Sequence, residues 1–260
     1  MEIPHSLQRA ANSVAKSSAL LQDPATLRAS NRPQLRRFEV ASLLPNGNVA
    51  ETQHIAPALP LFEDAFSAFT RGSLVDTEIG PIAVEDLLPG DRLITQDGDV
   101  QTLMWKGSTS LIPGRATSSG RTHKLTSFMA DCFGMQGPMS CVIAGPAARV
   151  LRTPPHLRAM SGSVPLLTPV HEFHDGMSIV ETAPPTPVEL FHLCLDRHTV
   201  IKVGGLEFET YHPGTKSLQL TSHAIRTLYL NMFSHIDHLS DFGPLVHARA
   251  GDGQIDALPS

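Results

Sequence analysis

No apolar stretch of this chain runs far before a turn interrupts it. Gly80-Pro81, Pro89-Gly90, Asp97-Gly98 and Gly204-Gly205 cut the sequence into short pieces, and 19 glycines and 21 prolines are spread over its 260 residues. Glycine supplies positive φ and proline removes a backbone donor, so neither belongs inside a long helix. Such a chain folds as many short strands rather than as a helical bundle. Between the turns, RLIT, VQTLMWKG, CVIAGPAARVLR, SIVET, VELFHLCLD, HTVIKVGG and LEFETY are apolar, rich in β-branched residues and often alternating. The expected class is mostly β with one C-terminal helix. In that helix Ile225, Leu228, Tyr229, Met232, Phe233 and Ile236 follow i, i+3, i+4 spacing, and Ser222 stands where an N-cap belongs.

Composition excludes several functions. At 28.0 kDa the chain can bury a core without staples. The net charge of −5, with no long basic block, argues against a nucleic-acid partner. No run of about 18 apolar residues is present, so no spanning helix and no membrane partner are expected. The first 35 residues lack the apolar centre of a secretory signal, which points to the cytoplasm and leaves other export routes open. Cys132, Cys141 and Cys194 are odd in number and read as reduced thiols. There is no phosphate-cradling glycine loop, no Cys-x-x-Cys and no His-Glu-x-x-His, so neither cofactor nor metal is expected. His171, His174 and Asp175 invite a metal reading but sit in a turn unit. His235 and His238 read as the end of the last helix, where positive charge is favourable. Trp105 reads as core.

The sequence divides at its Pro-rich connector, residues 56–65. Residues 1–60 read as an N-terminal appendage. It holds a weak helix around Leu7, Ala11 and Val14, then a hairpin in which FEVASLL and NVAETQHI flank Pro45-Asn46-Gly47. Residues 66–240 read as the main domain and 241–260 as a tail, with 107–124 a polar, flexible insertion. Within the domain, Val84, Leu87, Gly90 and Leu93 are matched at identical spacing by Val170, Phe173, Gly176 and Ile179. That repeat implies two related β halves.

Two stretches resemble the opening of bacterial hedgehog/intein (Hint) domains: Phe69-Thr70-Arg71-Gly72-Ser73-Leu74-Val75 and Gly80-Pro81-Ile82-Ala83-Val84-Glu85-Asp86-Leu87-Leu88-Pro89-Gly90-Asp91. Asp97-Gly98 and Met104-Trp105-Lys106-Gly107 are similar to the family's next strand. The run from Phe191 to His198, then Gly204-Gly205-Leu206-Glu207 and Tyr211-His212-Pro213-Gly214, are similar to its closing strands. The resemblance implies a strongly curved Hint-type β fold of two related halves, covering about residues 66–215 and the helix after it. It also implies self-processing of the autoprocessing or splicing type, with the chain's own N-terminal segment as the cis substrate.

That chemistry needs a thiol to attack the preceding carbonyl, an imidazole to protonate the departing amide nitrogen, and a donor to hold the scissile peptide. On the family's pattern Ala68 stands where the cysteine is expected, Gly145 where a hydroxyl is expected and Ala148 where the histidine is expected. A methyl group can neither attack nor protonate, so a degenerate site is implied. Two other readings stay open: an active domain using a substitute nucleophile such as Ser67 or Ser73, and a β-rich binding or structural module sharing only the fold. Asp196 and His198, two apart and so on one face of a strand, are the polar remnant expected to retain a catalytic role or to hold strands together as a hydrogen-bonded pair.

Overall fold

The computed structural model describes residues 34–113, 124–162, 164–214, 222–251 and 254–256. Leu35–Ser260 form one compact unit; Met1–Gln34, with the expected first helix, lie outside the described residues except for Gln34. In chain order the strands are β1 (Leu35–Leu43), β2 (Val49–Pro57), β3 (Phe69–Thr70), β4 (Leu74–Thr77), β5 (Gly80–Ala83), β6 (Arg92–Ile94), β7 (Val100–Leu111), β8 (Leu125–Phe128), β9 (Val142–Ala144), β10 (Arg149–Leu151), β11 (Leu167–Pro169), β12 (Ile179–Thr182), β13 (Val188–Leu195), β14 (Val200–Val203), β15 (Leu206–Glu209), β16 (Arg249–Gly251) and β17 (Gln254–Asp256). The helices are α1 (Pro60–Glu63), α2 (Arg158–Ser161) and α3 (His223–Leu230). The mostly β class with a C-terminal helix is therefore what the chain adopts.

The strands form two pairing networks joined through β7. One runs β2, β1, β7, β13, β3, β9, β8, β12, all antiparallel. The other links β5, β4, β6 and β7, continues from β4 through β14, β15, β10 and β11, and ends with β16 parallel to β11 and β17 beyond it. β7 carries its buried residues at every second position, the period of a strand with one face inward.

The internal repeat is a structural one. Val84, Leu87 and Leu93 from the first copy and Val170, Phe173 and Ile179 from the second meet in one apolar core. Gly90 and Gly176 both adopt positive φ, +106° and +75°, so the turn needs glycine in each copy. Lys106 reaches under the first copy and donates its ammonium protons to the carbonyls of Glu85 and Leu87.

A second core shifts the expected boundaries. Phe38, Val40 and Ala56 of the β1–β2 hairpin join Leu61, Phe62 and Ala65 of the connector and Phe66 just after it, and all pack with Trp105, Tyr229, Met232, Phe233 and Phe242. The hairpin is therefore no appendage: β1 pairs with β7 from Phe38↔Thr109 to Ser42↔Trp105. The connector is not a linker either, because α1 buries Leu61 and Phe62 and Arg36 Nε lies 2.7 Å from Glu63 Oε1 in an almost fully buried ion pair. The 241–260 tail contains β16, paired into the second network through β11. The polar insertion starts later than expected, since β7 continues through Leu111; residues 114–123 lie outside the described set.

One turn and one helix end also differ from expectation. The β1–β2 loop spans Leu44–Asn48 with only Gly47 at positive φ, so Asn46-Gly47 is not a two-residue turn. α3, capped by Ser222 as expected, stops at Leu230; Met232, Phe233 and Ile236 reach the core from the turns after it. Gly204 and Gly205, both at positive φ, do make the tight β14–β15 turn.

Gly107 is fixed by this packing. A Cβ there would stand 2.2 Å from the Trp105 ring and 2.5 Å from the Phe66 ring. Both rings are fully buried and stack 5.2 Å apart edge to face. Gly107→Ala should therefore destabilise the protein by about 1–3 kcal/mol through overpacking, read as a lowered urea midpoint at unchanged slope.

Candidate active site

The two-residue strand β3 is held between β13 and β9, with Phe69 opposite Phe191 on one side and Ala144 on the other. This fixes the Ser67–Ala68 peptide just before it. The Ala68 N–H donates to the Phe191 carbonyl at 2.9 Å, the Gly145 N–H to the Ala68 carbonyl at 2.7 Å, and the Ala147 N–H to the Ser67 carbonyl at 3.1 Å. The β9–β10 turn thus wraps the peptide with backbone donors. Its close approach demands a glycine: a Cβ on residue 145 would lie 2.2 Å from the Ser67 oxygen. A hydroxyl-bearing residue at 145, the group expected there, does not fit unless the turn moves.

The two positions expected to carry the thiol and the imidazole are apolar. Ala68 and Ala148 are both buried in the first core. Ser67 donates its hydroxyl to the Glu63 carbonyl at 2.7 Å, so that hydrogen meets an acceptor that cannot act as a base. The imidazole beside β3 is His192, which follows Phe191 on β13 and sets its ring edge-on to Phe69 at 5.6 Å. Its Nδ1 accepts from the Leu193 N–H, and burial pushes its pKa down to about 3, so it is neutral. His192 was part of a motif in the sequence but carried no signal that it would face this strand.

Asp196 and His198 are not a pair. β13 ends at Leu195, so the two residues share no strand face. Asp196 is exposed and accepts from the Thr102 N–H at 3.3 Å. His198 is buried and turns to Glu209 instead. The Val246 N–H donates to His198 Nδ1, which leaves the ring proton on Nε2, and Nε2 donates to Glu209 Oε1 at 2.9 Å. Arg249 Nε and Nη2 each reach the same oxygen at 2.8 Å, and Arg149 Nε lies 3.9 Å from Oε2. Burial alone would raise the Glu209 carboxyl; Arg249, the His198 hydrogen bond and Arg149 outweigh it and hold the group well below the usual carboxylate range. Arg249 Nη2 also donates to the His212 carbonyl, and Arg149 Nη1 to the Ala250 carbonyl at 2.6 Å, so the cluster ties β16 to β10 and β15. Nothing local in the sequence pointed to Arg249, which lies forty residues beyond its partner.

The other polar candidates resolve separately. A cleft of about 140 Å³ lies beside the end of β13, lined by Cys194, Asp196, His198, Tyr211, His235 and Asp241 among others. Burial, then the Asp196 charge, pushes the Cys194 thiol up to about 12, which leaves it inert. His235 is not at a helix end, since α3 has already stopped; burial holds its pKa down at about 4. His238 caps the 3₁₀ turn Leu239–Phe242. Asp175 accepts from the Ser178 hydroxyl and from the N–H groups of Met177, Ser178 and Ile179, closing the second repeat turn, while His174 Nδ1 accepts from the Glu181 N–H. Among the described residues no three His, Cys, Asp or Glu side chains converge on a metal position.

Comparison with known proteins bears on this arrangement. Residues 67–215 match the family model described as the Hint domain, and the match begins at the wrapped peptide itself. Among solved structures, the bacterial intein-like domain from Clostridium thermocellum is similar at 13% identity and a TM-score of 0.39, covering 56% of this chain and 99% of that one. The MchDnaB-1 intein is similar at 14% identity and a TM-score of 0.32, covering 55% and 100%. The Msm DnaB1 intein splicing domain bound with zinc is similar at 14% identity and a TM-score of 0.35, also covering 55% and 100%. No curated protein matches.

The buried histidines make stability depend on pH. Burial lowers His192 to about 3 and His212 and His235 to about 4, against about 6.5 in the unfolded chain. Below pH 6.5 the unfolded chain therefore binds protons that the folded chain refuses, and stability is lost as the pH falls towards 4. Glu209 acts in the same direction at lower pH, since its contribution is present above its unfolded value and is lost on acidification. Urea midpoints measured from pH 8 to pH 4 should fall below pH 6.5, and His192→Phe should flatten part of that fall. Parallel curves for the two proteins would remove His192 from the account.

Proposed function

The chain belongs to the Hint domain family, whose members are of the self-processing type, and from that premise we propose that this member keeps the peptide cradle of the reaction but not its cleavage chemistry. The observation that carries the reading is the contrast at one peptide bond. The Ser67 and Ala68 carbonyls still receive backbone N–H donors from the β9–β10 turn, while the positions expected to supply thiol and imidazole are the buried methyls of Ala68 and Ala148.

In the reaction the family resemblance implies, a thiol at position 68 attacks the Ser67 carbonyl carbon. The amide nitrogen of residue 68 leaves as it takes a proton, and a thioester forms in place of the peptide bond. The Ala147 N–H is placed to stabilise negative charge on the Ser67 oxygen as the carbonyl becomes tetrahedral. Without sulfur the sequence has no first step. The Ser67 hydroxyl does not replace it, because it points back to Glu63 and belongs to the residue whose own carbonyl would be attacked. The N-terminal segment is then a retained cis substrate rather than a product. The reading includes a cytoplasmic location and neither nucleic-acid nor membrane partners; among the described residues no helix is long and apolar enough to cross a membrane.

Intact-mass analysis with and without a strong thiol nucleophile tests the proposal. The unmodified chain should stay at full length. Ala68→Cys with Ala148→His should be cut after Ser67 in the presence of thiol, at least tenfold faster than Ala68→Cys alone, since a positioned acid contributes about 10²–10⁴ in rate. Ala148→His alone should stay intact. Adding Gly145→Ser to the double variant should slow it, because the new Cβ collides with the Ser67 carbonyl. Scission between Ser67 and Ala68 in the unmodified chain, insensitive to protease inhibitors, would overturn the proposal.

A further inference from the structure

We propose that the face of the body formed by β7 and the segment around α3 is a receptor for the chain's own residues 35–67, so that the pieces on either side of a cut near the Ser67–Ala68 bond remain bound to each other. The contacts that hold this segment do not depend on whether the family's chemistry survives. Segment 35–67 lies almost wholly before the family match, which starts at residue 67. It is nonetheless attached by contacts that do not pass through the 67–68 peptide.

Two kinds of contact hold it. β1 adds an antiparallel strand to β7 over five residue pairs, and Thr109 Oγ1 donates to the Arg37 carbonyl at 3.0 Å. Adding a strand to an edge gives affinity through the main chain, while pockets for alternate side chains give specificity. The pockets are apolar. Phe66 meets Trp105 edge to face at 5.2 Å, and Phe62 meets Tyr229 the same way at 6.1 Å. Phe38 lies 4.6 Å from Phe66 within the segment, and all three of its phenylalanines are fully buried. Separation would leave Trp105 and Tyr229 uncovered and the β7 edge unpaired.

The segment also braces itself. The buried Arg36–Glu63 pair joins β1 to α1, and Ser67 closes the end of the segment onto Glu63. Interactions internal to the ligand reduce the ordering cost of docking. A self-cleaving domain releases what precedes its first residue; this one is built to keep it.

The turn Arg71–Gly72 allows a cut without disturbing the core, because Arg71 is exposed and Gly72 is at φ +82°. A protease recognition sequence inserted there in the full-length chain, cleaved after the intact protein is purified and shown to unfold cooperatively, gives the test. Two bands are expected on a denaturing gel, but a single species of intact size on native gel filtration, with unchanged Trp105 fluorescence and an unfolding midpoint that rises with protein concentration. Separation of the pieces, or aggregation of the larger one, would overturn the proposal.

A second arm assigns the hold to segment 35–67 rather than to β3, which stays on the same piece. Phe38→Ala with Phe62→Ala, or the milder Phe38→Leu if the pair does not fold, should raise the dissociation constant of the cut chain at least tenfold for the pair and measurably for the single change. A dissociation constant equal to that of the parent would show that this face is not the receptor.

Discussion

Everything in the fold passes through β7. Its Arg92–Ile94 neighbour takes the first residues, β1 takes one edge of the remainder and β13 the other, so a single twelve-residue strand belongs to both pairing networks. One buried face serves both cores: Leu103 lies in the first and Trp105, two residues on, in the second, while Lys106 on the opposite face donates to the repeat turn. Where β7 must change neighbours, the ladder with β13 slips: Cys194 faces Trp105 but Leu195 faces Leu103, and Met104 is left as the extra residue. A bulge of this kind bends the strand and increases its twist.

Local chemistry was legible in the sequence and non-local pairing was not. Gly90 and Gly176, Gly204-Gly205 and the Ser222 cap were readable because each is decided within a few residues by φ or by one hydrogen bond. The repeat was readable because both copies obey the same local rule, and the structure adds that they share a core. The hairpin at 35–57 looked detachable because its alternation shows that it needs a partner without showing which. β7, with Trp105 opposite Ser42 and Thr109 opposite Phe38, is that partner, and a Pro-rich connector looks the same whether it links domains or, as α1 does, plugs one. Asp196 and His198 were joined on the assumption that β13 continues; its end at Leu195 turns His198 towards a glutamate and an arginine on other strands.

At the candidate site, the backbone and the side chains have separate fates. The cradle consists of N–H groups of Gly145 and Ala147, which any sequence compatible with the β9–β10 turn supplies. It is therefore independent of which side chains stand at positions 68 and 148. Only Gly145 is constrained as a side chain, and by contact with the Ser67 carbonyl rather than by reactivity. A family pattern read as functional groups would treat this glycine as a loss. Its packing shows a position where the peptide and the turn have closed to a distance that excludes a Cβ.

The same geometry changes what the Ser67–Ala68 bond does. Because segment 35–67 and the body share one apolar core, the bond connects two parts that already recognise each other. Its contribution is connectivity: it replaces a bimolecular association with an intramolecular one, at an effective concentration of about millimolar for a short link. Breaking it would remove that term and leave the strand pairing, the aromatic contacts and the Arg36–Glu63 pair in place. Release of the segment would require the second core to open as well, and that core includes Trp105 at the centre of β7. With alanine at position 68 and the upstream segment packed onto β7, the backbone on both sides of the 67–68 bond is held by contacts that do not depend on that bond.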